Sequence, residues 1–371
     1  MRRNQHHFVK KWMFFMLAFI IVIGIIWGVY TYRSQPSIPP TATFITSHMV
    51  NENGTLASRL LPAPSTNPDI VAGKEALSES LGLWMQYALM TDDQKSFEHS
   101  YTLLNQYFLN PEKHYIYWKL EPNGQSKVNT NALGDDLRIV GALLQASTQW
   151  QQQSYTTTAK QIVDTLLASD QQHGYLVDYH DFEHGYSADV LSLTYIDVPA
   201  LEQMKQTNMI SAEEYNKYTD LLRNTPNDGV FYPRTYSVAT GQYNYDDTIN
   251  LIDQLILALH RSELGQPSIE LTAFMKKEFE QHHQLAGRYK RADQTADVAY
   301  ESPAVYGLAI LLALQEKDQA WAEQLYAQML TMRGWDQAYP GGYVFDGDTH
   351  IFDNLFPLLA ETLLQKGSET K

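Results

Sequence analysis

The chain has 371 residues, 44% hydrophobic and 12% aromatic, enough to bury a large core, which excludes a disordered chain. It has no cysteine, so disulfides, thiolate metal sites and cysteine nucleophiles are excluded together. The formal charge is −15, and residues 1–33 carry five basic side chains and no acidic one, leaving −20 on the rest; nucleic acid is excluded as a partner bound by counterion release, and a neutral or cationic partner is expected.

Residues 13–30 (MFFMLAFIIVIGIIWGVY) hold no charge, and with Trp12 and Thr31 they approach the ~20 residues that cross a bilayer. Arg2, Arg3, Lys10 and Lys11 precede them, so the positive-inside rule predicts a basic cytoplasmic tail over 1–12 and a signal-anchor helix over 13–32. The remainder is then expected outside the cell membrane. A cleaved signal peptide is the competing reading, but the apolar run is longer than a usual h-region and no A-x-A-like site follows. Residues 33–70 are rich in Pro, Ser, Thr and Asn without helical period, and read as a tether. The whole core is therefore expected within 71–366.

Downstream, apolar residues recur at three- and four-residue steps, as in Phe97, Tyr101, Leu104 and Phe108. Helices are expected over 73–91, 93–109, 131–150, 155–169, 199–207, 212–224, 248–264, 269–283, 303–315, 319–332 and 352–365, with short strand arms at 115–119 and 175–179. Those beginning near 73, 131, 248 and 303 read as buried on more than one side. Those over 155–169 and 319–332 carry many polar residues and read as an outer layer. Alternating inner and outer helices predict an all-α fold, an (α/α)6 barrel or six-hairpin toroid, following the N-terminal transmembrane helix; a generic helical solenoid is the competing architecture, but no fixed-period sequence repeat is found.

Three acidic segments stand at helix starts. Glu79 lies within Ser78-Glu79-Ser80-Leu81-Gly82-Leu83-Trp84-Met85, either a buried carboxyl or a first-turn acid favoured by the helix dipole. Asp135 and Asp136 begin the next candidate; Asp136 shares a face with Leu133, Val140 and Leu143, and so points into packing or into a cavity. Asp246 and Asp247 precede Leu251, Ile252 and Leu255, with helix capping by Asp247 as the simpler reading.

In this order the segments resemble glycoside hydrolase family 8. Ser78, Glu79, Gly82 and Met85 match a Ser-Glu-Gly-x-Gly-Tyr-Gly-Met-like motif from which Ser80, Leu83 and Trp84 depart. Asp136, Leu137 and Ile139 before Ala142-Leu143-Leu144 match an Asp-x-Asp-Leu-x-Ile run, with Gly134 where the first Asp would be. Tyr245 to Asn250 is similar to Tyr-Asp-Ala-x-Arg, with a doubled Asp and with Asn250 for Arg. Residues 194–200 are similar to a Ser-Tyr-x-x-Pro-Ala segment.

The resemblance implies an inverting glycosidase acting on a polysaccharide, an exopolysaccharide or β-1,4-linked glycan, without cofactor or metal. Membrane-tethered relatives of this kind in Gram-positive bacteria also suggest exopolysaccharide synthesis machinery as a partner. It implies Glu79 as general acid, Asp247 as general base with Asp246 as alternative, and Asp136 as a sugar-binding carboxylate with Asp135 as alternative. Acid and base are expected about 6.5 to 9.5 Å apart. Trp84, Trp118, Tyr195, Tyr245, Trp335, Tyr339 and Tyr343 are candidate sugar platforms. His173, His180 and His184 with Asp178, Asp181 and Glu183 match no metal signature and read as a solvated loop; Asp346-Gly347-Asp348 reads as a turn. A catalytically weak saccharide-binding component of an export system is the rival function, motivated by the lost glycines and Asn250.

Overall fold

The computed structural model describes residues 38–63, 65, 67 and 69–369. The expected tail and anchor over 1–32 lie outside the described residues, among which no helix is long and apolar enough to cross a membrane.

Twelve α-helices are found among the described residues: α1 (Pro40–His48), α2 (Ser78–Met90), α3 (Gln94–Leu103), α4 (Leu133–Trp150), α5 (Gln153–Ser169), α6 (Val198–Gln206), α7 (Ala212–Arg223), α8 (Leu251–Glu263), α9 (Ile269–His282), α10 (Pro303–Gln315), α11 (Gln319–Met332) and α12 (Phe352–Glu369). Local chemistry sets several starts. Asp93, Asp197 and Asp318 each accept a backbone N–H of the first turn, and Ser211 with Glu214 forms a capping box. Asn250, standing where the motif has Arg, caps α8 by accepting from Ile252 N.

Packing sorts these helices into two layers. α2 packs on α4, α4 on α6, α6 on α8, α8 on α10, α10 on α12, and α12 back on α2, a closed inner ring of six. α3, α5, α7 and α11 back α2, α4, α6 and α10 respectively, and α1 backs α12. α9 joins the outer layer through Phe274, in edge contact with Phe231 and Tyr289, and Phe279, in edge contact with Trp321. The patterning anticipates this division. Ten of the 13 residues of α10 are buried, whereas α5 buries one stripe of Tyr155, Ala159, Ile162, Val163 and Leu166, with Thr158.

Two expectations change. The tether expected over 33–70 does not extend past Pro40: α1 is helical, Phe44, Ile45, Met49 and Ala57 are fully buried, and the compact unit begins at Pro40. Nine residues are too few to show a helical period against flanking prolines, and tertiary packing makes this helix. More of the chain is also paired in short ladders than the two expected arms. Ala76–Leu77 pairs with Lys119–Leu120, Val190–Ser192 with Thr235–Ser237, and Thr248–Asn250 with Arg288–Lys290. The first and last of these run directly into α2 and α8, so they fix where two inner helices begin.

Candidate active site

Glu79 is the second residue of α2. The strand before it is held in place because Ser78 N donates to the Trp118 carbonyl at 3.0 Å. Ser78 Oγ donates to Asp135 Oδ2 at 2.6 Å, which ties the first turn of α2 to the first turn of α4. Arg138 Nη1 lies 3.7 Å from both Glu79 Oε1 and Asp135 Oδ1. Gly82 makes room for it, since a Cβ there would come within 3.1 Å of Arg138 Cδ. Glu79 keeps 26% of its side chain accessible, so the space it faces, the candidate cleft, is reached by solvent. Burial first, then the Asp135 charge and more weakly that of Asp253, push its carboxyl up to about 7 against the opposing pull of Arg138. Asp135 is also raised by burial, opposed by Arg138, Ser78 and the Glu79 N–H.

The neighbouring wall is built on Tyr195. Its ring covers Gly134, where a Cβ would meet Tyr195 Cδ1 at 2.5 Å, and its hydroxyl lies in the field of Asp135, Asp178 and Glu79. Asp178 accepts from Ser192 N at 2.5 Å and Ser192 Oγ at 2.7 Å. Farther round, Arg234 Nη1 pairs with Asp246 Oδ2 at 3.5 Å. Asp253, the third residue of α8, is raised by burial, while Arg234 and Arg288 pull it down and Asp246 pushes it up. Tyr245 lies under Arg291, whose guanidinium is 4.0 Å from the ring centroid.

Comparison with known proteins bears on this cleft. The profile of glycosyl hydrolases family 8 matches residues 48–207. A Bacillus subtilis (strain 168) protein, YdaJ, named as a lipoprotein, is 36% identical over 330 residues, 88% of this chain and 87% of its own. The chain belongs to glycosyl hydrolases family 8. It is a glycosidase. The fold recurs in an α-amylase from Clostridium perfringens (TM-score 0.79, 23% identity, 88% of this chain and 98% of that one) and in PssZ from Listeria monocytogenes (0.70, 24%, 86% and 93%). It recurs also in an endo-1,4-D-glucanase from Vibrio fischeri ES114 (0.66, 14%, 88% and 94%).

Within this family 8 glycosidase the sequence candidates separate. Glu79, Asp135 and Tyr195 come together at the cleft, whereas Asp246 is engaged by Arg234, on the Asp253 side. Asp136 does not: it is 1% exposed, and Asn131 Nδ2 donates to its Oδ2 at 2.6 Å and also to Asp170 Oδ2. One step along a helix turns a side chain by about 100°, so of two adjacent aspartates one reaches the cleft and the other the core. Asp247 is exposed, and its carbonyl accepts from Arg291 N.

The aromatic candidates scatter further. Trp84 packs on Tyr87 and lines a separate cavity of about 150 Å³ with Leu77, Leu81 and His99, on the α3 side of α2. Tyr343 is fully buried and donates to Glu361 at 2.8 Å. Tyr339 packs edge-on against Phe44 and His48, and Trp335 is 70% exposed beside Phe345. Trp118 is half-buried and contributes its carbonyl to Ser78. His180 bonds Ser187 and His184 bonds Asp181 within one hairpin; among the described residues no group of three His, Asp or Glu side chains is arranged to hold a metal ion. Asp348 pairs with Arg59 at 3.0 Å in its turn. Arg138 and Asp253 were missed by sequence reasoning, and Asp178, read there as part of a solvated loop, is instead held by Ser192 beside Tyr195; the signal for Asp253 was an acid in the first turn of an otherwise apolar inner helix.

Proposed function

We propose that this glycosidase is anchored in the cell membrane with its barrel outside, and that it hydrolyses a polysaccharide by inversion with Glu79 as the general acid. The observation that carries the reading is Glu79 itself: a carboxyl pushed up to about 7 in an accessible cleft, so that it holds a proton near neutral pH. In the reaction, water bonds to the anomeric carbon as the glycosidic C–O bond breaks. The departing oxygen takes the Glu79 proton, and a carboxylate on the facing wall takes the proton of the water. The doubled aspartate Asp246-Asp247 is where the family motif puts that base. Tyr195 and Tyr245 offer ring faces to sugars. Anchoring is supported by the apolar run over 13–30 and by a relative named as a lipoprotein. A secreted polymer of the same cell, β-1,4-linked or an exopolysaccharide, is then the substrate within reach, and its synthesis machinery the neighbouring partner.

The test is release of reducing ends from the host's extracellular polysaccharide, carboxymethylcellulose, xylan and soluble starch. Glu79→Gln keeps the shape but removes the proton, and turnover should fall about 10²- to 10⁴-fold with binding retained. Proton NMR of the first product should show the opposite anomer. Full activity of Glu79→Gln would remove the acid assignment. Binding without cleavage by the wild-type protein would favour the saccharide-binding role. On whole cells, added protease should reach the barrel.

A further inference from the structure

Asp246, Asp247 and Asp253 lie before and at the start of α8, and the structure separates them. The inner ring runs α2, α4, α6, α8, α10, α12, so α2 and α8 are three places apart in either direction and stand opposite each other. Glu79 is the second residue of α2 and Asp253 the third residue of α8. An acid and a base that work on opposite faces of one sugar ring need this kind of placement.

The surroundings of the three differ in the same sense. Asp253 is the far-wall carboxylate whose charge acts on Glu79, alongside those of Asp135 and Arg138 on its own side. Asp135 and Asp178 accept hydrogen bonds from Ser78 and Ser192, whereas no described residue donates to Asp253, which leaves its oxygens for a water. Burial raises the Asp253 carboxyl, and the charges of Arg234 and Arg288 oppose that rise. Asp246 is 47% exposed and engaged by Arg234, and Asp247 is exposed.

We infer that Asp253, not the doubled aspartate, is the general base of this cleft. The inference rests on the inverting reading above. The Asp253 carboxylate takes a proton from the water as the water oxygen bonds the anomeric carbon; the glycosidic bond breaks, and the leaving oxygen takes the proton of Glu79. Exchange with solvent then returns both carboxyls to their starting states. Asp246 acts through Arg234, as a positioning residue.

The experiment compares Asp253→Asn, Asp246→Asn and Asp247→Asn on whichever polymer the wild-type protein cleaves best, each with a melting curve. Asp253→Asn should lose about 10²- to 10⁴-fold in kcat; Asp246→Asn, which acts only through Arg234, should lose less than about 10²-fold, and Asp247→Asn should stay within about tenfold. For Asp253→Gly, added sodium azide should restore turnover and yield a glycosyl azide visible by mass, an outcome that a merely structural role does not give. Loss of activity in a folded Asp246→Asn or Asp247→Asn beside an active Asp253→Asn overturns the assignment. Should Asp253→Asn fail to fold, the other two variants decide: both active supports Asp253, either one inactive overturns it. A wild-type protein that cleaves none of the polymers overturns the polysaccharide reading, and the base assignment with it.

Discussion

On the proposed reading Glu79 is the acid, so its three charged neighbours set the pH range in which it works, and the sign of each contribution can be tested. A general acid must be protonated in the free enzyme, so kcat/KM should fall as pH rises through about 7. Asp135→Asn removes a charge that raises Glu79 and frees Arg138 to lower it further. The alkaline limb should therefore move to lower pH, while Arg138→Met should move it to higher pH; limbs that stay in place would separate Glu79 from the reaction. The buried pair Asp136 and Asp170 carries a stability prediction instead. Both are raised by burial, Asp170 to about 7, with Asp170 adding to the rise of Asp136. The native state then binds more protons than the unfolded chain between about pH 4 and 7, so this pair's stabilisation is present at acid pH and is lost as pH rises through about 7. Asp170→Asn should flatten the melting temperature across that window and raise it at pH 8. An unchanged pH slope would show that the pair does not titrate there.

Among the helices, glycines fix how closely neighbours approach. A Cβ on Gly307 of α10 would lie 2.6 Å from the Phe356 carbonyl carbon and 2.7 Å from Pro357 N, both backbone atoms of α12. Backbone cannot swing aside as a side chain can. Gly307→Ala should therefore cost about 1–3 kcal/mol, against a gain in helix propensity of at most about 1 kcal/mol, and urea denaturation should show the loss. A neutral or stabilising result would mean that α10 and α12 can separate cheaply. Gly134 departs from the family motif for a comparable reason: the Tyr195 ring occupies the space a side chain would need. Helix positions were legible because their apolar stripes and caps are local. The short ladders at the mouth were not, since two- and three-residue strands are made by their partners rather than by a repeating pattern.

Taken whole, the barrel includes more of the chain than its composition suggested. Glu361 of α12 is 1% exposed and accepts from Thr41 Oγ1 of α1, from Tyr343 and from Arg333. Deleting residues 1–69 removes Thr41 from that buried carboxylate together with the buried Phe44, Ile45 and Met49. At about 1.5–3 kcal/mol for each large apolar side chain, the loss is on the order of 5 kcal/mol or more, comparable with the whole stability of many domains. A protein starting at Ile70 should aggregate or melt far below one starting at Pro39, as scanning calorimetry would show. Equal melting temperatures would return α1 to the tether.

The primary structure alone carried the helical class, the alternation of inner and outer helices and the candidacy of Glu79, because a 3.6-residue apolar period and an acid in an apolar segment are local signals. It could not say which of two adjacent aspartates enters the cleft. That choice depends on the rotation of α4 against α2, fixed by Gly82, Arg138 and the Ser78–Asp135 bond. Nor could it place Trp84 behind α2, Tyr343 in the core, or Asp253 across from Glu79. Each of these requires the ring to close, bringing together helices about 170 residues apart in the chain, a separation over which no sequence period carries information.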